Sequence, residues 1–372
     1  MRLSIERTAL LKALSHVQSV VERRNTIPIL SNVLLTAAGD GLKLTATDLD
    51  IEIAESAPAQ IERAGSTSTP AHTLFEFVRR LPEGQPVRLE LSGEDSRLAV
   101  SSGKARLQLP VLPSGDFPAM PIDAAGHSFE IGPIELARLI DKTRFAISTE
   151  ETRYYLNGIF FHAVAVNGIA MLRAVATDGH RLALADVEAP EGSVGMPGVI
   201  VPRKTVQELR RLLEDATGDV GIAVSTQKIR FSVGDAVLTS KLIDGSFPEY
   251  ARVIPKANAR ILKVENRSFA QAVDRVSTVS AERSRSVKLA LEAERVTLTV
   301  NNPDQGVATE DLPAEYASEA LEIGFNSKFL KDVTDQIEGV EAQFEFADSG
   351  SPTLVRDPAD ANALYVLMPL RV

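Results

Sequence analysis

Asp178, Gly179, His180 and Arg181 form a cluster whose residue types invite a catalytic reading, with His180 as a base and Asp178 as the carboxylate that orients it. Side chains one or two positions apart seldom point at one another, and no serine in a nucleophile-elbow context accompanies them. The cluster therefore reads as a strand-end turn made by Asp178 and Gly179. The five histidines, at 16, 72, 127, 162 and 180, are scattered without the i, i+4 spacing of a helical metal pair. There is no cysteine to act as nucleophile, thiolate ligand or disulfide partner. No metal and no cofactor is expected. An enzyme built from repeated domains would need clustered titratable groups in one copy, and none appears.

The elements that must position any functional side chain are themselves repeated. Leu44-Thr45-Ala46-Thr47-Asp48 recurs more loosely as Leu172-Arg173-Ala174-Val175-Ala176-Thr177-Asp178, which sets Asp48 and Asp178 130 positions apart, and Phe117-Pro118 recurs as Phe247-Pro248 at the same offset. A third copy is fainter: Leu10 and Leu14 are echoed by Leu136 and Ile140, then by Phe269 and Val273. Solenoid units are about 20–50 residues long, so this period means three tandem copies of one domain. Phe129-Glu130-Ile131-Gly132 and Leu321-Glu322-Ile323-Gly324 each lead into a helical pattern, which points to an older half-domain of one helix followed by strands. Apolar spacing predicts helices over 6–20, 70–81, 132–146, 202–213, 267–279 and 327–337, with Pro70, Pro133 and Pro202 where a first turn tolerates proline. Period-two runs such as Val296–Val300 and Ile229–Val233 predict the strands. The fold class is α+β, with domains expected at 1–122, 128–253 and 254–372, where Pro118, Pro121, Gly126, Pro255 and Asn258 interrupt the pattern.

The 372-residue chain is 44% apolar and long enough for several cores. It begins without a signal-peptide pattern and has no stretch approaching the roughly 18 apolar residues of a membrane span, so a soluble cytoplasmic protein is expected. The formal charge is −10, which normally argues against nucleic acid as a partner. Its distribution argues the other way. The six helical windows hold fifteen basic and eight acidic residues, leaving −17 for the rest. Charged helix faces are ordinary where they meet water; the sharper reading is six helices lining one surface toward a polyanion.

Arg153-Tyr154-Tyr155-Leu156-Asn157-Gly158, Ala176-Thr177-Asp178-Gly179-His180-Arg181-Leu182, Val201-Pro202-Arg203-Lys204, Asp244-Gly245-Ser246-Phe247-Pro248-Glu249-Tyr250 and Tyr365-Val366-Leu367-Met368-Pro369-Leu370-Arg371 together resemble the bacterial β sliding clamp family, the processivity subunits of DNA polymerase III. The resemblance runs through the whole chain in order. It implies three clamp domains, each with two inner helices and outer antiparallel sheets, and a head-to-tail dimeric ring around duplex DNA. It further implies a non-catalytic chain whose partners are the replicative polymerase, the clamp loader, and repair and translesion polymerases, captured through short peptide motifs. A scaffold ring without DNA would lack the basic bias of the helices.

The resemblance also carries residues. Thr177, Gly179, His180, Arg181 and Leu182 are implied to wall the peptide pocket with Leu156, Pro248, Arg252, Val253, Val366, Met368, Pro369 and Leu370. Arg181 and Arg252 would be available to hold polar or carboxylate groups of the peptide. A tail rich in Met and Pro otherwise reads as a last strand docked on a core, although methionine also suits an adaptable groove. Leu370 stands where relatives often carry a second methionine. Arg24, Tyr154, Tyr155, Arg203 and Lys204 match DNA-touching positions; the tyrosines read either as stacking platforms or as core residues. For ring closure, Leu107 and Leu109 lie on the implied edge strand of the first domain, and Thr278 and Val279 near that of the third. An aromatic common in the family at Leu107 is absent, so a weaker closure than usual is expected.

Overall fold

A computed structural model describes residues 1–91, 97–121, 126–280 and 285–371. The chain forms two compact units, Met1–Ala137 with Pro190–Met196 and Lys204–Leu242, and Arg138–Ala189 with Pro197–Arg203 and Ile243–Val372. The middle repeat is thus divided between them, with one cut falling inside α-helix Pro133–Asp141, between Ala137 and Arg138, and not ahead of the helix where the half-domain pattern begins. The expected first-domain boundary at 122 lies outside the described residues. Among those residues no helix is long and apolar enough to cross a membrane.

All six expected helices form: α1 Arg7–Val17, α2 Ala71–Arg79, α3 Pro133–Asp141, α4 Arg203–Leu212, α5 Asn266–Val276 and α6 Ser327–Thr334. Each buries the stripe that its spacing sets, as Leu10, Ala13, Leu14 and Val17 do in α1 and Phe269, Ala272, Val273 and Val276 in α5. The expected windows run long because three of the helices pass into 3₁₀ turns, at Arg144–Ala146, Leu213–Asp215 and Ser277–Val279. Pro133 opens α3, whereas Pro70 is the residue before α2 and Pro202 closes the strand before α4. Glu265 accepts the amides of Arg267 and Ser268, and Asn326 that of Lys328, which fixes where α5 and α6 begin.

Four antiparallel sheets carry the helices. The first unit holds a five-stranded sheet ordered Gln60–Arg63, Arg2–Glu6, Pro86–Leu91, Arg97–Ser102, Ala105–Pro110. Its second sheet has eight strands, in which Ile51–Pro58 of the first repeat pairs with Ala236–Lys241 of the second. The second unit holds a nine-stranded sheet in which Arg181–Glu188 of the second repeat pairs with Asp360–Leu367 of the third, and a four-stranded sheet that ends at Gly306–Pro313. Both seams therefore join the fourth long strand of one repeat to the last strand of the next.

Gly158 begins the strand Gly158–Val166 opposite Pro202, and an added Cβ would lie 2.2 Å from the Val201 carbonyl oxygen. Gly158→Ala is accordingly expected to cost about 1–3 kcal/mol, since the ladder must shift to admit one methyl. The midpoint of chemical denaturation measures this; an unchanged midpoint would contradict so close an approach.

Candidate functional site

In the second unit a hollow of about 180 Å³ opens at the seam between Arg181–Glu188 and Asp360–Leu367. Its floor is sheet core: Leu182 and Val366 face each other in register, both 2% exposed, and cluster with Val175, Leu184 and Leu354. Its rim is exposed apolar surface, supplied by Val253 and Met368. Leu156, Thr177, Gly179, Arg181 and Pro248 complete the part expected from sequence, and Glu249 and Tyr250 are additional. Four expected residues do not line the hollow. Arg252 is exposed and pairs with Glu249 at 2.6 Å, His180 stacks on Phe329, Leu370 bonds backbone to backbone with Gly324, and Pro369 lies between the tail's two anchored residues.

The turn that shapes one wall is locally determined. Thr177 Oγ1 donates to the Arg181 carbonyl at 2.6 Å, and Asp178 Oδ1 accepts the amides of His180 and Arg181 at 2.9 and 3.0 Å. Gly179 supplies the left-handed backbone, φ +87°, that this loop requires. Asp178 spends its carboxylate on the turn and on Arg181, not on the His180 ring, which agrees with a structural reading of the cluster.

Arg181 differs from the expectation that it is available to a peptide carboxylate. Its side chain is 7% exposed and its Nε donates to Asp178 Oδ2 at 3.1 Å. Its terminal nitrogens donate to Asp332 on α6 and to the Phe145 carbonyl, and its plane lies against the rings of Phe329 and Phe145, 4.4 and 5.1 Å from their centroids. A guanidinium held by two carboxylates, a carbonyl and two aromatic rings is a fixed part of the groove wall.

Tyr250, absent from the expected residues, is held in a second network. Its hydroxyl meets His162 Nε2 at 2.9 Å and accepts from Arg173 at 3.3 Å, while Arg173 grips Asp186 with two bonds of 2.7 Å. Burial pushes the His162 imidazole below its ordinary range, which favours the neutral ring. Burial works against Arg173 too, yet its bonds to Asp186 and Tyr250 outweigh that and hold its proton more tightly than usual. Phe247-Pro248-Glu249-Tyr250 is legible as a motif, but the reach of Tyr250 to His162 depends on how the sheet is laid out.

The expected DNA residues fall in both units. In the first, Arg24 is exposed, while Lys204 donates to Asp48 and to the Val20 carbonyl and lies 3.6 Å from Glu22. In the second, Arg203 and Tyr154 are exposed, and Tyr155 meets the Tyr154 ring edge-on at 5.8 Å. Of the fifteen basic residues in the helical windows, only Arg203, Arg267 and Lys328 lack a carboxylate within ion-pair reach among the described residues. The cationic surface is thus weaker than the count implies.

The residues expected at ring closure lie on sheet edges. Ala105–Pro110 and Gly306–Pro313 each end their sheet, and the 3₁₀ turn with Thr278 and Val279 packs on the latter. Leu107 is half-buried, but Leu109 is 3% exposed and belongs to its own domain's core, so only its backbone faces the edge.

Three families described as the N-terminal, central and C-terminal domains of the DNA polymerase III beta subunit match residues 1–121, 130–249 and 251–371. The chain is 61% identical over 372 residues to the beta sliding clamp of Caulobacter vibrioides and 38% identical over 373 residues to that of Escherichia coli, covering 100% of both chains in each case. Among solved structures, a DNA polymerase sliding clamp from Caulobacter crescentus aligns with a TM-score of 0.96 at 60% identity, covering 100% of both chains. A sliding clamp from Bartonella birtlesii bound to griselimycin aligns with a TM-score of 0.97 at 51% identity over 100% of both chains.

Removing the Arg181 charge would leave Asp178 and Asp332 unpaired in a largely buried setting. Arg181→Met is expected to destabilise the protein by about 3 kcal/mol, and Arg181→Lys to recover only part of that because it lacks the planar fork. Urea denaturation measures both, and full stability in Arg181→Met would contradict a structural role.

Proposed function

We infer the function of this chain from its family: it belongs to the bacterial β sliding clamps, the β subunits of DNA polymerase III. It is a DNA sliding clamp, a non-catalytic subunit that acts in replication. The proposal is that two copies close head to tail around duplex DNA in the bacterial cytoplasm and tether the replicative polymerase and repair factors there. A polymerase held only by reversible contacts dissociates, whereas a closed ring is retained by topology and slides without a tight bond. Attraction to phosphates that ignores base sequence is then sufficient.

The observation that supports closure most strongly is the use of the strands. The fourth long strand of the first repeat, Ile51–Pro58, and of the second, Arg181–Glu188, each pair with the last strand of the following repeat. Their counterpart in the third repeat, Gly306–Pro313, ends its sheet, and so does the last strand of the first repeat, Ala105–Pro110. The two edges match each other in kind, and a second copy would supply each with the partner strand for a third seam. They also differ in charge, with Lys104 and Arg106 at one and Glu310 and Asp311 at the other.

Arg24, Arg203 and Tyr154 are the proposed DNA contacts, with Lys204 acting through the segment that carries Arg24. The groove of the second unit is the proposed site for partner peptides. An apolar floor already packed as core and a rim of Met368 and Val253 suit leucine and aromatic anchors, each worth roughly 1.5–3 kcal/mol before binding costs.

In solution the chain should have twice its monomer mass of 40.1 kDa at micromolar concentration by light scattering. Leu107→Glu with Val279→Glu should convert it to monomer, and a wild-type monomer would refute the ring. Deleting residues 368–372 should abolish binding of a fluorescent Leu- and Phe-containing peptide while the dimer persists. Undiminished anisotropy in the truncated protein would place the partner site elsewhere.

A further inference from the structure

The turn beside the groove is built twice. In the first unit Thr47 Oγ1 donates to the Ile51 carbonyl at 2.8 Å, and Asp48 Oδ1 accepts the amides of Asp50 and Ile51 at 2.9 and 2.8 Å. These are the bonds that Thr177 and Asp178 make 130 residues later. Leu49 takes φ +80°, a costly conformation for a side chain, where Gly179 takes +87°. Lys241 donates its amide to the Asp50 carbonyl as Met368 does to that of His180, both at 2.9 Å. Glu52 faces Thr239 in the first seam as Leu182 faces Val366 in the second. The groove thus has a counterpart at Thr47, Glu52, Pro118, Met120, Thr239 and Lys241.

The counterpart is filled by its own chain. Met120, at the position of Tyr250, is 7% exposed; Thr47 Oγ1 lies 3.4 Å from its sulfur, and its amide donates to Glu52 Oε2 at 3.2 Å. Where the open groove presents Leu182 and Val366, this one presents a carboxylate and a hydroxyl. Glu52 is partly buried, and that burial pushes its carboxyl above its usual range. Tyr250 is tethered by His162 and Arg173 and stands as a wall. The Met120 sulfur takes only one weak bond, from Thr47, and the flexible methionine side chain settles into the space available.

We propose that the junction of the first two repeats is a latent groove for the same apolar peptide class, plugged by Met120 and made polar by Glu52. The tether on Tyr250 is what keeps the second groove from plugging itself likewise. The inference rests on the reading of the second-unit groove as a peptide site.

The test is stoichiometric titration with a fluorescent Leu- and Phe-containing peptide. Unaltered protein should bind one peptide per subunit and Glu52→Leu/Met120→Ala two, and that variant truncated at residue 367 should keep one. A double variant that still binds at its original groove but takes only one peptide overturns the latent site. Unaltered protein that binds none overturns instead the reading beneath it. Independently, Tyr250→Met should lower peptide affinity about tenfold by self-plugging; unchanged affinity in this variant overturns the plug even if the double variant does not fold.

Discussion

Antiparallel pairing between the fourth strand of one repeat and the last strand of the next is the constraint on which the other features depend. It converts a tandem repeat from three separate domains into continuous sheets, because backbone hydrogen bonds and apolar faces run without interruption across each seam. Leu238 against Ile53 and Leu184 against Leu364 continue the core from one repeat into another. A one-residue slip would turn those faces outward, so the register is held by burial along the whole strand. The same rule leaves two complementary edges unpaired in a single chain. Exposed edges are a hazard for most sheet proteins, and in the proposed dimer their use by a second copy would both remove the hazard and close a ring.

The seam also makes the groove. A hollow at the place where two repeats share a sheet has a rigid floor, since Leu182 and Val366 are already core residues. Its walls are then fixed by charges that cannot leave. Arg181 is clamped between two carboxylates, a carbonyl and two aromatic rings, and Tyr250 is held by His162 and by the Arg173–Asp186 pair. Burying such groups is expensive unless each is fully paired, and both networks are. Preorganisation of this kind lowers the ordering cost of binding, while the adaptable element, Met368, is left at the rim.

Much of this is legible in the sequence. The 130-residue offset, the six amphipathic stripes and nine of the residues that line the groove follow from spacing and from family resemblance, because local patterning fixes helices and the Thr-Asp turn is closed by its own neighbours. What was not legible depends on distant pairing. Tyr250 lines the groove because it packs against the sheet cluster of Val175, Leu182 and Val366, and Arg181 is unavailable to ligands because distant segments bring it Asp332, Phe329 and the Phe145 carbonyl beside its neighbour Asp178. Lys204 looks cationic in sequence but is neutralised by Asp48 and Glu22. Leu109 looks like an interface residue and is core. In each case the residue type was right and its partner was invisible.

For a ring threaded by duplex DNA, retention is topological and not adhesive. It is tested most directly by loading the protein onto closed circular duplex, then linearising half of the sample and measuring what stays bound at physiological salt. Retention on the circle and rapid loss from the linear form are expected, with Arg24→Glu/Arg203→Glu impairing loading but not the dimer. Equal retention on both forms would contradict it.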